Sequence, residues 1–299
     1  MITAGHFRRV SVIANPAAAR GAPDYDALAA IFDGRGAAWT LAQTERLGHA
    51  EELARAAADG GADVIAVYGG DSTVGDAARG LYGTGIPMAI LPGGAANLLA
   101  TDLGIPRRLR DAAALIFDPA ATIRSVDMGQ VGERLFFHLG IGLEGEMVRR
   151  SGRSLKQATG ALAYYVSSLG SLWRVPRAHY RLTLDGDTVE IAGINCAITT
   201  YGSLGVFGLS LSKAVDPGDG LLDVVVIERA DLKRAAQVAA SILTSRDLHL
   251  AAHHWQARAV TLDSDPPQPI TLDSELVSLD RIAAKVVPGA AQIVAPGEF

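Results

Sequence analysis

Residues 64–73, Val-Ile-Ala-Val-Tyr-Gly-Gly-Asp-Ser-Thr, form an apolar run that stops abruptly in two glycines, an acid and two hydroxyls. Residues 88–97 repeat the plan with Met-Ala-Ile-Leu followed by Pro-Gly-Gly-Ala-Ala-Asn, ahead of the helical stretch Leu98 to Leu103. A helix is expected from near Val74 as well, so each unit reads strand, glycine turn, helix. Two such units in succession require a parallel sheet, because a strand returns beside its predecessor in the same direction only through a crossover. Both turns then fall on the carboxyl edge of that sheet, where open α/β folds bind ligands. Glycine there admits backbone conformations that a β-carbon forbids and lets N–H groups close on an anion at a helix start. One turn alone is as readily an ordinary connection; the pair favours a phosphate-binding edge.

The alternation extends over the first 125 or so residues. Strands are expected at Val10 to Ala14 and Ala38 to Ala42, and helices at Asp24 to Phe32, His49 to Asp59 and Leu109 to Phe117. That is the pattern of a parallel sheet covered on both faces. After Ser125 the texture changes to short β-rich runs at 126–129, 135–139, 180–184, 189–199, 222–227, 257–262 and 270–272, with helical stretches only at 160–172 and 232–243. The expected organisation is an α/β domain over 1–124 and a β-rich, sandwich-like domain with an inserted helix over 125–299. The last strand packs back on the first domain, and the active site sits in the cleft between the two.

Composition excludes several classes. At 49% hydrophobic and 20% charged residues the chain is globular, and a net charge of −5 gives no basic stripe for nucleic acid. The one cysteine, Cys196, cannot form an intramolecular disulfide, which suits a reducing cytoplasm. The N-terminus lacks the basic-then-apolar order of a secretory signal. The uncharged stretches 157–173 and 191–212 are broken by glycines and hydroxyls, so no transmembrane segment is expected.

Further constellations carry the chemistry. Asn15-Pro16-Ala17-Ala18-Ala19-Arg20-Gly21 follows the first strand and brings a third small-residue loop to the same edge, with Asn15 and Thr73 as donors and Arg20 as a source of charge. The chain has no G-x-x-x-x-G-K-[S/T] loop, which argues against an ordinary P-loop enzyme. Asp71 would repel a phosphate unless a cation such as Mg²⁺ intervenes; its other reading is a helix cap. Residues 216–223, Asp-Pro-Gly-Asp-Gly-Leu-Leu-Asp, place three carboxylates before a strand, either a solvated turn or a seat for a hard cation. In Leu272-Asp273-Ser274-Glu275-Leu276 acids flank a tight turn, and Glu275 is either a hairpin acid or the base that takes a proton from an alcohol in phosphoryl transfer.

Taken in order, Asn15-Pro16, Gly69 to Thr73, Pro92 to Ala100, Asp219 to Asp223 and Asp273 to Glu275 resemble the diacylglycerol kinase and sphingosine kinase family of lipid kinases, above all its compact bacterial members. Gly140 to Glu144 and Leu162 to Tyr164 add to the likeness, which spans nearly the whole chain. The resemblance implies transfer of the γ-phosphoryl group of ATP to a lipid hydroxyl such as that of diacylglycerol or ceramide. Position by position, it implies nucleotide contacts from Asn15, Pro16, Ala17, Ala18, Ala19, Thr44, Gly69, Gly70, Asp71, Ser72, Thr73, Val74, Gly75, Ala95 and Asn97. It implies Mg²⁺ at Asp216, Asp219 and the main chain of Leu221, catalysis by Glu275, and an organising role toward the metal for Asp71. Ser72 stands where the family usually has glycine, Ala95 where it has threonine, and Ser274 at a third small position. Ser72 is strained if the backbone there needs a positive φ.

The expected partner is a lipid at a membrane surface, reached from the cytoplasm by transient attachment to the inner face, with a homodimer left open. Arg149, Arg150, Arg153 and Lys156 precede the apolar 161–166 and 169–173, with Arg174 and Arg177 behind, which suits an anionic interface or a core helix with solvated ends. Two alternatives stand beside the lipid kinase: a kinase of a soluble nucleotide such as NAD, which has a similar glycine–aspartate turn, and a non-catalytic lipid-binding relative.

Overall fold

The computed structural model describes residues 7–150, 177–202, 215–228 and 252–297. The chain divides into two compact units, Met1–Val126 with Gly289–Phe299, and Asp127–Pro288.

In the first unit the elements are β1 (Arg9–Ala14), α1 (Tyr25–Gly34), β2 (Ala38–Gln43), α2 (His49–Asp59), β3 (Val64–Gly69), α3 (Asp71–Leu81), β4 (Met88–Pro92), α4 (Leu98–Asp102) and α5 (Leu109–Leu115). The strand order β2-β1-β3-β4 is parallel throughout, in the register Ala14 beside Gln43 and Tyr68, and Gly69 beside Pro92. β3 and β4 are buried along their whole length, as a sheet covered on both faces demands. Val12, Ile13, Ile65, Val67 and Leu91 are fully buried, each contributing roughly 1.5–3 kcal/mol of burial. Asp24 caps α1 by accepting from the Ala27 N–H at 2.9 Å. α3 begins at Asp71, three residues before the expected start, so Asp71, Ser72 and Thr73 are its first turn and not a loop. An acid in that turn suits the positive end of the helix dipole.

The second unit opens on the end of β5 (Thr122–Val131) and continues with β6 (Arg134–Phe136), β7 (His138–Gly142), α6 (Leu143–Arg150), β8 (Ala178–Leu184), β9 (Asp187–Gly193), β10 (Asn195–Thr199), β11 (Leu222–Ile227), β12 (Ala252–Ala257), β13 (Ala259–Asp265), β14 (Ile270–Leu272) and β15 (Glu275–Val277). The final strand, β16 (Ile282–Ala295), pairs antiparallel with β13 through residues 282–285 and parallel with β4 through Ile293 and Val294. The break between the units falls inside it, at Pro288-Gly289. Three runs that read as single strands, 135–139, 189–199 and 257–262, are each divided in two by a change of sheet or a corner.

Two sheets of the second unit pack face to face as a β-sandwich. One has the order β12-β11-β10-β7-β14-β15; the other contains β9, β8, β13 and the start of β16. β8 alternates, with Ala178, Tyr180, Leu182 and Leu184 inward, the period-two signature of a strand with one solvated face. These meet Leu139, Ile141, Cys196, Ile198, Val224, Val226 and Leu272 from the other sheet in one core. Burial holds the Cys196 thiol above its ordinary pKa, so it is a packing residue and not a nucleophile. The opposite face of the six-stranded sheet is also buried, yet polar: pairing puts His138, Asn195, Thr199, Asp223 and Thr271 on it. α6 packs against β7, β14 and β15 and adds Glu144, whose Oε2 lies 2.6 Å from His138 Nε2. The helical stretches expected at 160–172 and 232–243 lie outside the described residues.

Candidate active site

The carboxyl edge of the first unit's sheet gathers the residues that the glycine turns advertise. Asn15, Thr44, Gly70 and Gly93 follow or end four adjacent strands in register. The Asn15 N–H donates to the Tyr68 carbonyl at 2.8 Å and the Thr44 N–H to the Ala14 carbonyl at 2.9 Å. The Asn15 amide donates to Thr73 Oγ1 at 3.0 Å, while its Oδ1 accepts from the Ala17 N–H at 3.0 Å and shapes the loop through Pro16, Ala18 and Ala19. Asn15 therefore ties the first loop to α3, leaving the Thr73 hydroxyl hydrogen to point elsewhere. Arg20 is less free than its charge suggested: Nη1 donates to the carbonyls of Arg107 at 2.8 Å and Pro92 at 3.4 Å.

The glycines serve close approach. None of Gly69, Gly70, Gly93 and Gly94 has a positive φ. A β-carbon on Gly94 would lie 2.4 Å from the Gly70 Cα, and one on Gly69 would lie 2.5 Å from Thr73 Cβ. The two turns thus touch through bare backbone, with the Gly93 and Gly94 N–H groups donating to the Gly69 carbonyl at 2.9 and 3.0 Å. Ser72 sits in the first turn of α3 without a positive φ, so the strain expected of it is absent. No side chain caps α3 at Gly70, which leaves the start of an eleven-residue helix facing this edge. Val74 and Gly75 are buried in the same helix, and Ala95 is half-buried in the second turn.

Asp71 does cap a helix, but α4 and not its own. Its Oδ1 accepts from the Leu98 N–H at 2.7 Å and its Oδ2 from the Asn97 N–H at 3.1 Å. Asn97, at φ 53°, folds its amide back on Gly94, accepting at 2.8 Å and donating at 2.9 Å, so it holds the turn together from within.

In the second unit the acidic loop before β11 is pinned by a residue that the sequence reading passed over. Asp127 Oδ2 accepts from the Gly220 N–H at 2.6 Å, and the Asp127 N–H donates to the Pro217 carbonyl at 2.7 Å. An acid in a strand, a place acids avoid, was its only signal. Asp216 accepts from the Gly218 N–H and Asp219 from the Leu221 N–H, so the three expected metal-binding positions share one turn. Asp219 reaches solvent, yet partial burial, and then the nearby Asp223, Asp127 and Asp216, hold its carboxyl above the ordinary range against the lowering Leu221 N–H. Asp223, 1% exposed, bonds His254 Nε2 at 2.6 Å through Oδ1, and its buried Oδ2 has no partner among the described residues. Among those residues no three His, Cys, Asp or Glu side chains form a ready metal cluster.

Glu275 starts β15, immediately after a two-residue hairpin in which Leu272 pairs with Glu275. Asp273 and Ser274 both have positive φ, 46° and 69°, the conformation of a tight primed turn. Asp273 Oδ1 accepts from the N–H groups of Phe137 at 2.9 Å and His138 at 3.0 Å, and its own N–H donates to the His138 carbonyl at 2.8 Å, fixing the hairpin to the β6–β7 corner. Glu275 Oε2 lies 3.9 Å from Arg134 Nη2, while the buried Oε1 has no partner among the described residues. Of the basic residues expected at a membrane, Arg149 pairs with Glu146 at 2.7 Å, and 151–176 lie outside the described residues.

Two family models cover this arrangement: the diacylglycerol kinase catalytic domain over residues 9–131, and the YegS C-terminal NAD kinase beta sandwich-like domain over residues 139–295. The chain belongs to the family of the diacylglycerol kinases and YegS-like lipid kinases. A Pseudomonas syringae pv. tomato relative named "Probable lipid kinase YegS-like" is 30% identical over 281 residues, 89% of this chain and 88% of that one. An uncharacterized Synechocystis protein is 29% identical over 246 residues, 80% of this chain but only 56% of its own length. A crystal structure of a diacylglycerol kinase from Bacillus anthracis superimposes with a TM-score of 0.68 at 21% identity, covering 97% of each chain, and shows the shared fold. That α/β unit followed by an antiparallel sandwich is the family's architecture. Among the described residues no helix is long and apolar enough to cross a membrane.

Proposed function

We propose that this chain is an ATP- and Mg²⁺-dependent lipid kinase that transfers the γ-phosphoryl group to a hydroxyl of diacylglycerol or of a sphingoid lipid such as ceramide. The observation that carries the reading is Glu275: a buried carboxylate oxygen without a partner among the described residues, on a hairpin fixed by three hydrogen bonds. A group so held is suited to accept the proton that the lipid hydroxyl loses as its oxygen attacks phosphorus.

The nucleotide phosphates would lie at the uncapped start of α3, among the N–H groups of the turns at 15–19, 69–75 and 93–97. Asp216, Asp219 and the Leu221 carbonyl would hold Mg²⁺, and the donor set fits a hard cation. Burial, and then the neighbouring carboxylates, hold the Asp219 carboxyl above its ordinary range, and Asp223 Oδ2 is buried without a partner among the described residues. Bound Mg²⁺ would neutralise charge on the phosphate oxygens. By the family likeness, Asp71 is the candidate for organising a catalytic Mg²⁺ and its waters. The protein would work at the inner face of the membrane.

The test is transfer from radiolabelled ATP to a panel of diacylglycerol, monoacylglycerol, sphingosine and ceramide, with NAD as a soluble acceptor. Labelled lipid in the presence of Mg²⁺, lost on chelation and lost in Glu275→Gln, supports the proposal. Label on NAD alone, or on no acceptor despite ATP binding, overturns it in favour of a nucleotide kinase or a non-catalytic relative.

A further inference from the structure

We infer that Tyr68 is a positioning residue of the nucleotide site, holding two of its three loops in place and setting affinity for ATP without touching the reacting atoms. The inference rests on the reading of these loops as the nucleotide cradle.

Tyr68 is the penultimate residue of β3, 4% exposed, and it meets the loops in three ways. Its carbonyl accepts the Asn15 N–H at 2.8 Å, where the first loop begins. Its hydroxyl donates to the Gly21 carbonyl at 3.0 Å, where that loop ends. The segment Asn15 to Gly21 therefore hangs by both ends from one residue. Third, the ring fills the space beside Gly93: a β-carbon there would lie 2.7 Å from Tyr68 Cζ, so the glycine that opens the second turn is required by this ring. The Arg20 N–H donates to the Gly93 carbonyl at 3.0 Å, which couples the two loops that Tyr68 touches. Burial raises the pKa of the hydroxyl, so it is a neutral donor at any working pH.

A core tyrosine without this role would tolerate loss of its hydroxyl. Tyr68→Phe keeps the ring and removes one hydrogen bond, whose loss corresponds to about a threefold to tenfold change in an equilibrium. The full-length variant should show KM for ATP, and Kd for ATP by calorimetry, raised by about that factor, with kcat within twofold of wild type. Amide hydrogen exchange over residues 15–21 should be faster in the variant with no ligand present. A double-mutant cycle supplies the ring's share: Gly93→Ala should weaken ATP binding, and weaken it less in a Tyr68→Ala background, where the ring that it strikes is gone. Unchanged exchange and unchanged Kd in Tyr68→Phe, or equal Gly93→Ala penalties in both backgrounds, overturn the inference while wild-type ATP binding stands. Wild-type protein that binds no ATP overturns this inference and the nucleotide reading together.

Discussion

Asp71 holds the start of α4 from the first turn of α3, its Oδ1 accepting the Leu98 N–H at 2.7 Å. One carboxylate thereby joins the two glycine turns, and the motif acid has a structural duty that its sequence position does not reveal. Asp71→Asn keeps the side chain's shape but can accept only one of the two N–H bonds, which should cost about 1 kcal/mol of stability, or roughly 2–4 °C in Tm for a domain of ordinary size. If the same oxygens orient metal-bound water, phosphoryl transfer falls by about a hundredfold or more, far beyond that loss. Melting and radiometric assays on one preparation separate the duties, and activity falling only in step with Tm would leave the cap as the whole role.

Glu275→Gln removes the proposed proton acceptor and retains the hairpin, which is fixed through Asp273. Phosphoryl transfer should fall by about 10²- to 10⁴-fold with little change in KM for ATP. Its melting temperature should match wild type, because Oε1 has no partner to lose among the described residues and Oε2 only a 3.9 Å approach to Arg134. Retained kcat would remove Glu275 from the chemistry.

Strain lies at the third departure from the family pattern and not at the first. Ser72 occupies an ordinary helical position, whereas Ser274 is at φ 69°. A non-glycine residue there costs roughly 1–2 kcal/mol, partly offset by the roughly 0.5–1 kcal/mol that glycine loses in chain entropy. Ser274→Gly should therefore raise stability by about 0.5–1 kcal/mol, and Ser72→Gly should lower it by about 0.5 kcal/mol on helix propensity. Urea midpoints of the two variants check the opposite signs.

That reversal shows which features were legible. The alternation of strands and helices, the uniformly buried β3 and β4 and the grouping of loops at one sheet edge follow from hydrophobic pattern and chain connectivity, and the sequence displays both. Which glycine answers to φ and which to contact does not, because Gly94 is required by Gly70, a residue distant in sequence. β16 carries Pro288-Gly289, a pair that usually marks a turn, inside one strand. Asp127 and Asp273 act through main-chain N–H groups 93 and up to 136 residues away, a relation that no local spacing encodes.

The last prediction concerns acid stability. Asp63 lies just before β3 and fastens it to β1: Oδ2 accepts from the N–H groups of Arg8 at 3.0 Å and Arg9 at 2.9 Å, and Oδ1 pairs with the Arg9 guanidinium at 3.1 Å. Burial alone would raise its pKa, but the two N–H groups and the Arg9 charge outweigh it and hold the carboxyl below the ordinary value. A carboxylate depressed on folding binds its proton more readily in the unfolded chain. Its stabilisation is fully present above the unfolded pKa of about 3.9 and is lost as pH falls through the lower folded value. Asp63→Asn should therefore melt below wild type at pH 7, with the gap constant down to about pH 5 and shrinking from about pH 4 downward. Thermal melts of both proteins between pH 7 and pH 3 measure that gap, and a gap that widens on acidification would show that the carboxylate is not favoured by folding.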